Sequence, residues 1–117
     1  MKEFLVFEKN FDNIKILNLK GFLDASSASK LEDSISNCLN SGYSKIIANL
    51  SELEYISSAG MGVFIAFLES IRENGGDIKF CEIPEKVFFV FDLLGFQSIF
   101  EIYQKEEEAL KAFGKKI

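Results

Sequence analysis

The run Ser57-Ser58-Ala59-Gly60-Met61-Gly62 is where the sequence comes nearest to chemistry. Tyr55-Ile56 ends an extended-looking stretch there, and an apolar helical run follows. Ser57 suits a helix N-cap, its hydroxyl accepting from a backbone N–H two or three residues on. Ser58 is then the first helical residue, with its side chain at the helix mouth. A phosphate on that hydroxyl is compatible with the fold, because orphan N–H groups and the helix dipole favour an anion. It would still add about −1.5 to −2 of charge to a surface kept low by Ala59, Gly60 and Gly62. Each glycine in a first turn costs roughly 1 kcal/mol relative to Ala, which asks for a reason other than helix strength. A partner docked flush against Ser58 would meet an uncompensated anion once the serine is phosphorylated, so binding would switch while the fold stayed the same. The plainer alternative is a helix start whose small residues pack against a neighbour.

Other chemistries are poorly provided for. The chain of 117 residues contains no His, which removes the commonest general base and metal ligand. Gly60-Met61-Gly62 is a fragment of a glycine-rich pattern, but Ile65 stands where a dinucleotide-binding loop needs its third glycine. No phosphate-binding loop ending in Gly-Lys-Ser/Thr occurs. Glu52 and Glu54 read as a solvated loop rather than an acid–base pair. Two cysteines, Cys38 and Cys81, cannot make a four-ligand zinc site or a disulfide framework and read as free, buried thiols in a reducing compartment. The chain is therefore expected not to be an enzyme and to need no cofactor or metal. Its 13 Lys+Arg against 18 Asp+Glu give a net charge of −5, which argues against direct binding of nucleic acid.

The elements that must position Ser58 follow from periodicity. Residues 3–8 and 14–19 alternate as two strands of a hairpin, with turn formers over 9–13. Gly21-Phe22-Leu23-Asp24 leads into a helix with apolar positions Ala28, Leu31, Ile35, Cys38 and Leu39. Ser29 and Glu32 match a capping box at its start, Asp24 could cap an earlier start, and Asn40-Ser41-Gly42 closes it. Residues 43–50 read as a central buried strand and 51–56 as a loop with at most one more extended turn. The helix from Ser57 to about Asn74 carries the stripe Val63, Phe64, Phe67, Leu68 and Ile71 and stops at Gly75-Gly76. Residues 77–81 form a strand, and Pro84 is placed as the first residue of a helix closed by Gly95. Residues 99–103 form a last strand, and Glu106-Glu107-Glu108 open a final helix. Helices alternating with strands after a hairpin give an α/β domain with a mixed sheet of four to five strands and about four helices, spanning 1–117.

This organisation resembles the STAS domain family, and within it the stand-alone bacterial anti-sigma factor antagonists. The resemblance is carried by Gly21-Phe22-Leu23-Asp24, Asn49-Leu50-Ser51, Leu53, Tyr55-Ile56, Ser57-Ser58-Ala59-Gly60-Met61-Gly62 and Gly75-Gly76, in order across nearly the whole chain. In that family a serine in a D-S-[ST]-G-[LM]-G pattern is phosphorylated by the partner anti-sigma factor, itself a serine kinase. The resemblance places the acceptor on Ser58. It places Ser57 where the family has Asp and Ala59 where it has Ser or Thr. Asp24 falls near the partner-facing surface, so Asp24, Ser57, Ala59, Gly60, Met61 and Gly62 are the implied partner-binding residues. The unphosphorylated protein would bind the anti-sigma factor and free a sigma factor, and a metal-dependent serine phosphatase would reset it. A signalling subunit of another partner-switching or sensory assembly, or a small-ligand-binding STAS module, are the alternatives.

The N-terminus lacks the features of a signal peptide, and the longest apolar run, Gly60 to Leu68, is too short to span a bilayer. A cytoplasmic protein without a membrane segment is expected. The oligomeric state is left open, with a monomer among the options. The 13 Phe are mostly expected in the core. Val87, Phe88, Phe91 and Leu94 would form an inward stripe, while Phe89, Leu93 and Phe96 either pack under the last helix or form a second interaction surface.

Overall fold

The computed structural model describes residues 3–115. Five strands form one sheet in the order of the sequence: β1 (Phe4–Phe11), β2 (Ile14–Leu23), β3 (Lys45–Ile56), β4 (Asp77–Cys81) and β5 (Glu101–Tyr103). The hairpin pair β1–β2 is antiparallel, and every later pair is parallel. Each parallel connection needs a crossover, and right-handed crossovers stepping in one direction put their helices on one face. Accordingly α1 (Ala28–Asn40), α2 (Ser58–Glu73) and α3 (Glu85–Leu93) share one buried cluster with Leu17, Leu19, Ile46, Ala48, Ile78 and Phe80. The last helix, α4 (Glu106–Ala112), follows the edge strand and covers the opposite face over Ile14, Ile16, Ile47 and Cys81. The class is the α/β architecture with a mixed sheet that the periodicity predicts.

The phenylalanine content finds its use around Phe80 of β4. Its ring meets Phe64, Phe91 and Phe100 edge-on at centroid distances of 4.8, 5.1 and 4.9 Å. Such edge-to-face pairs are favoured by the ring quadrupole beyond their burial. Cys38 and Cys81 are free and buried. Burial pushes their thiols up to about 11 and about 12, so both are protonated at neutral pH.

Several local expectations are corrected. The hairpin strands run longer than 3–8 and 14–19, and the connection shrinks to Asp12-Asn13, with Asp12 at φ +54°. The Ser29–Glu32 capping box does not form. Helix α1 is entered through Ser27, whose hydroxyl is engaged in the preceding turn and does not cap the helix. Residues 51–56 are not a loop but the second half of β3, paired with β2 through two register shifts. The shifts explain why the sequence hid it: Leu50, Leu53 and Ile56 are all buried in one cluster, three residues apart, and a regular strand alternates every two. Pro84 is the N-cap of α3 rather than its first residue. Only Glu101–Tyr103 of the last predicted strand pairs, because residues 96–98 wind into a short 3-10 turn ending at Ile99. On α3, Val87 and Phe91 face inward as expected, but Phe88 and Leu94 are exposed. Phe89, Leu93 and Phe96 do not pack under α4, which lies across the sheet from them; Phe89 and Leu93 are 64% and 71% exposed, and Phe96 is partly buried against the cluster shared by α1, α2 and α3.

Candidate partner-docking surface

The candidate site lies where β2 and β3 leave the sheet side by side. Leu23 and Ile56, the last residues of the two strands, are register partners. The backbone N–H of Ser57 donates to the carbonyl of Leu23 (2.9 Å), which clamps the entry of α2 against the end of β2. Ser57 is extended at φ −100°, ψ 168°, and its Oγ accepts from the N–H of Gly60 (3.1 Å). This is the N-cap geometry expected from the sequence. It commits the Ser57 hydroxyl to the backbone and leaves Ser58, the first helical residue, exposed.

The other positions divide by burial. Ser58, Ala59 and Gly62 are exposed, Ser57 is half-buried, and Gly60 and Met61 are buried. The Met61 side chain is 0% exposed and belongs to the core, so it offers no atom to a docking protein. That corrects the expectation of a partner contact through Met61 and, by the same measure, Gly60. A Cβ at Gly60 would stand 2.7 Å from Leu23 Cγ and 3.0 Å from the Leu23 carbonyl oxygen, so this glycine lets α2 close on β2. A Cβ at Gly62 would meet nothing within 4 Å. The two glycines of the motif thus have different causes: packing at Gly60, and a bare surface at Gly62.

Asp24 begins the neighbouring turn. Its Oδ1 accepts from the Ser26 hydroxyl (2.7 Å) and from the N–H groups of Ser26 (3.0 Å) and Ser27 (3.3 Å). Ser27 is buried; its Oγ donates to the Phe22 carbonyl (2.9 Å) and accepts from the Asp24 N–H (2.9 Å). The Ser26 hydroxyl, above all, holds the Asp24 carboxyl below its ordinary range, so the group is ionised at neutral pH. Asp24 therefore shapes the 24–27 turn rather than capping α1. The first turn of α2 carries no acidic residue, so its N-terminus keeps its positive end-potential beside Ser58.

A hollow of about 650 Å³ beside this turn is lined by Glu3, Phe4, Phe22, Lys30 and the turn residues Asp24, Ser26 and Ser27. Asp24 Oδ1 and Ser27 Oγ are committed to the turn itself. Among the described residues, no group of three or more His, Cys, Asp or Glu is placed to hold a metal ion. What the arrangement does offer is an exposed hydroxyl on a small-residue platform, held by backbone hydrogen bonds at the end of a rigid sheet.

A five-stranded mixed sheet with three helices on one face and a side-chain-capped helix start at the end of β3 is the arrangement of a STAS domain. The family model described as the STAS domain matches residues 9–109, and the chain belongs to that family. It is 32% identical over 102 residues to BtrV of Bordetella bronchiseptica, covering 87% of this chain and 88% of BtrV. It is 28% identical over 100 residues to the anti-sigma-B factor antagonist of Bacillus subtilis, covering 86% of this chain and 90% of that protein. The crystal structure of TM1081 from Thermotoga maritima matches with a TM-score of 0.87 at 31% identity, over 94% of this chain and 95% of that one. The family resemblance read from Asp24, 49–51 and 57–62 is thereby shown.

Sequence reasoning missed two features of the surface. The Phe22–Tyr55 ring pair (5.6 Å) flanks it, and finding it required the β2–β3 register after the bulges. The burial of Met61 required knowing which side of α2 meets Leu23.

Proposed function

We propose that this chain is an anti-sigma factor antagonist that works by partner switching, with Ser58 as its phosphorylation site. The observation that carries the reading is the division of labour between two adjacent serines. Ser57 is committed to capping α2 (Oγ to Gly60 N, 3.1 Å), and Ser58 is exposed. In the unphosphorylated state an anti-sigma factor docks on Ser58, Ala59 and Gly62, beside the 24–27 turn, and a sigma factor is released. The anti-sigma factor, as a serine kinase, transfers the γ-phosphoryl group of ATP to Ser58 Oγ. An O–P bond forms, ADP leaves and the hydroxyl proton is released. The phosphate is accommodated by the helix N-terminus but not by the docked partner, whose fit required a bare surface. A metal-dependent serine phosphatase restores the hydroxyl. The work is done in the cytoplasm, without membrane or direct nucleic-acid contact.

Ser57 replaces the acidic residue usual in the family pattern. Because Ser and Asp are comparable N-caps, the geometry is retained while one negative charge beside the acceptor is removed. That change keeps a different partner-switching or sensory assembly as the second reading. The small-ligand reading is weaker, because Asp24 Oδ1 and Ser27 Oγ, which line the hollow, are already bonded within their own turn.

The test is incubation with a cognate anti-sigma factor and ATP, followed by peptide mass spectrometry. Phosphate is expected on Ser58 of the wild type and of Ser57→Ala, and absent from Ser58→Ala. Ser58→Asp is expected to bind the anti-sigma factor at least about tenfold more weakly, a loss near 1.4 kcal/mol. Modification of Ser58→Ala at wild-type stoichiometry would rule out the assignment.

A further inference from the structure

One edge of the sheet is open. Among the described residues, β1 pairs with β2 and has no strand on its other side. The strand is eight residues long, its pairing with β2 has no register shift, and it contains no proline. Natural proteins usually blunt an edge of this kind. Opposite residues of an antiparallel pair share a face, so the register Phe11↔Ile14, Lys9↔Ile16, Phe7↔Asn18 puts Leu5, Phe7 and Lys9 on the face that α4 occupies. Phe11 packs against the cluster under α4, but Leu5 and Phe7 are 38% and 52% exposed.

We propose that β1 is a homodimerisation edge: it pairs antiparallel with β1 of a second copy about a two-fold axis through Val6, joining the two five-stranded sheets into one. An axis normal to the sheet keeps each face on its own side, so odd residues must meet odd and even must meet even. Four such registers can be compared by what they put together on the exposed face. Centred on Val6, Glu3 lies opposite Lys9 of the second copy and Leu5 opposite Phe7, and symmetry makes each pair twice. Centred on Leu5, Glu3 meets Phe7. Centred on Phe7, Leu5 meets Lys9. Centred on Glu8, Phe7 meets Lys9, and on the other face Glu8 meets Glu8. The Val6 register therefore matches charge with opposite charge and apolar with apolar, which is what selects a second copy of this chain as the occupant. Lys9 already pairs with Glu106 of its own chain at 3.0 Å, but its side chain is 55% exposed, and an ammonium has three donors. On the other face Glu8 falls beside Phe4 of the second copy, its charge offset by its own Lys15 at 3.6 Å. A single strand pairing is smaller than a standard interface, so the dimer is concentration-dependent.

Sedimentation velocity on the full chain, from about 10 μM to about 1 mM, is expected to show a reversible monomer–dimer equilibrium. Glu3→Lys puts Lys against Lys9 in both pairs and is expected to weaken the dimer about tenfold. Adding Lys9→Glu to that variant is expected to restore it. Val6→Cys places a thiol opposite its own symmetry mate, at the roughly 4.5–5.5 Å Cα separation of an antiparallel pair that a disulfide can bridge. It is expected to cross-link under mild oxidation, while Leu5→Cys, which faces Phe7, stays uncross-linked. Native Cys38 and Cys81 are buried and do not interfere. A protein that is monomeric throughout the range overturns the proposal. So does a dimer indifferent to Glu3→Lys, or cross-linking through Leu5→Cys rather than Val6→Cys. Melting curves equal to wild type confirm that the variants fold.

Discussion

Polar groups are used in opposite ways at two places in this molecule. At the start of α2 they serve the backbone nearby: Ser57 caps Gly60, Asp24 closes its own turn, and Ser27 ties that turn to Phe22. At the β4–β5 edge they serve one another across the fold. Lys79, 5% exposed, reaches Asp77 (3.3 Å) and Glu101 (2.8 Å) and lies over the Phe113 ring at 4.6 Å. Arg72 of α2 joins Asp77 (3.0 Å) to the Ile99 carbonyl (2.8 Å), and Tyr103 donates to Glu101. The clamp fastens β5, a three-residue strand too short to hold by its own ladder. The comparison teaches that local capping leaves a surface free to change its charge, while a charge network spends its groups on holding elements together.

The largest effect that sharpens this contrast is expected at the clamp. Lys79→Glu buries a third carboxylate beside Asp77 and Glu101 in place of their shared cation, and should cost about 3 kcal/mol in urea unfolding. Partner binding at Ser58 should be unchanged. Gly60→Ala should cost about 2 kcal/mol, because the new methyl meets Leu23, including its backbone oxygen, at the other end of the sheet. Ser57→Ala removes the cap and should cost about 1 kcal/mol by the same measurement. Gly62→Ala has open space around its methyl and should stabilise the helix by about 0.5–1 kcal/mol. In a pull-down or calorimetric titration it should nonetheless weaken binding of the proposed anti-sigma factor partner. A Gly62→Ala variant that binds as well as wild type would break the argument that this surface is kept bare.

The smallest effects are those of pH, and their signs differ within the clamp. Lys79, foremost, holds the Glu101 carboxyl below its ordinary value of 4.5. A depressed acid contributes stability that is present above that value and lost as pH falls through the lower folded one. The hydrogen bond to Glu101 pushes Tyr103 from 10.0 up to about 12. A raised phenol contributes stability that is present below about 10 and lost as pH rises toward about 12. Thermal melts across pH should thus slope downward at both ends, and Tyr103→Phe should flatten the alkaline slope. Asp24, depressed by Ser26, adds to the acid slope with the same sign as Glu101.

The hairpin, α2 and the role of Ser57 as a cap were legible because their causes are local. Alternation, helical spacing and a hydroxyl three residues before its N–H partner all lie within a short window of chain. The second half of β3 was not legible, because its bulges break the alternation that marks a strand, and Asn49 braces that region by accepting from Ser51 and donating to Glu106 of α4. The exposure of Phe88 was not legible either, and that of Phe89 and Leu93 was legible only as one of two options. Their apolarity suggests a core, and only the placement of α4 on the far face leaves them uncovered.

By itself, then, the sequence determined the class of fold, the start of α2 and the identity of the serine that stands free there, since each depends on neighbours along the chain. Tertiary structure alone decided that Gly60 and Met61 face inward while Gly62 faces out, that Lys79 is a buried cation, and that β1 is an open edge. Those outcomes depend on which surfaces meet across the sheet, and contacts between residues distant in the chain leave no periodic trace in it.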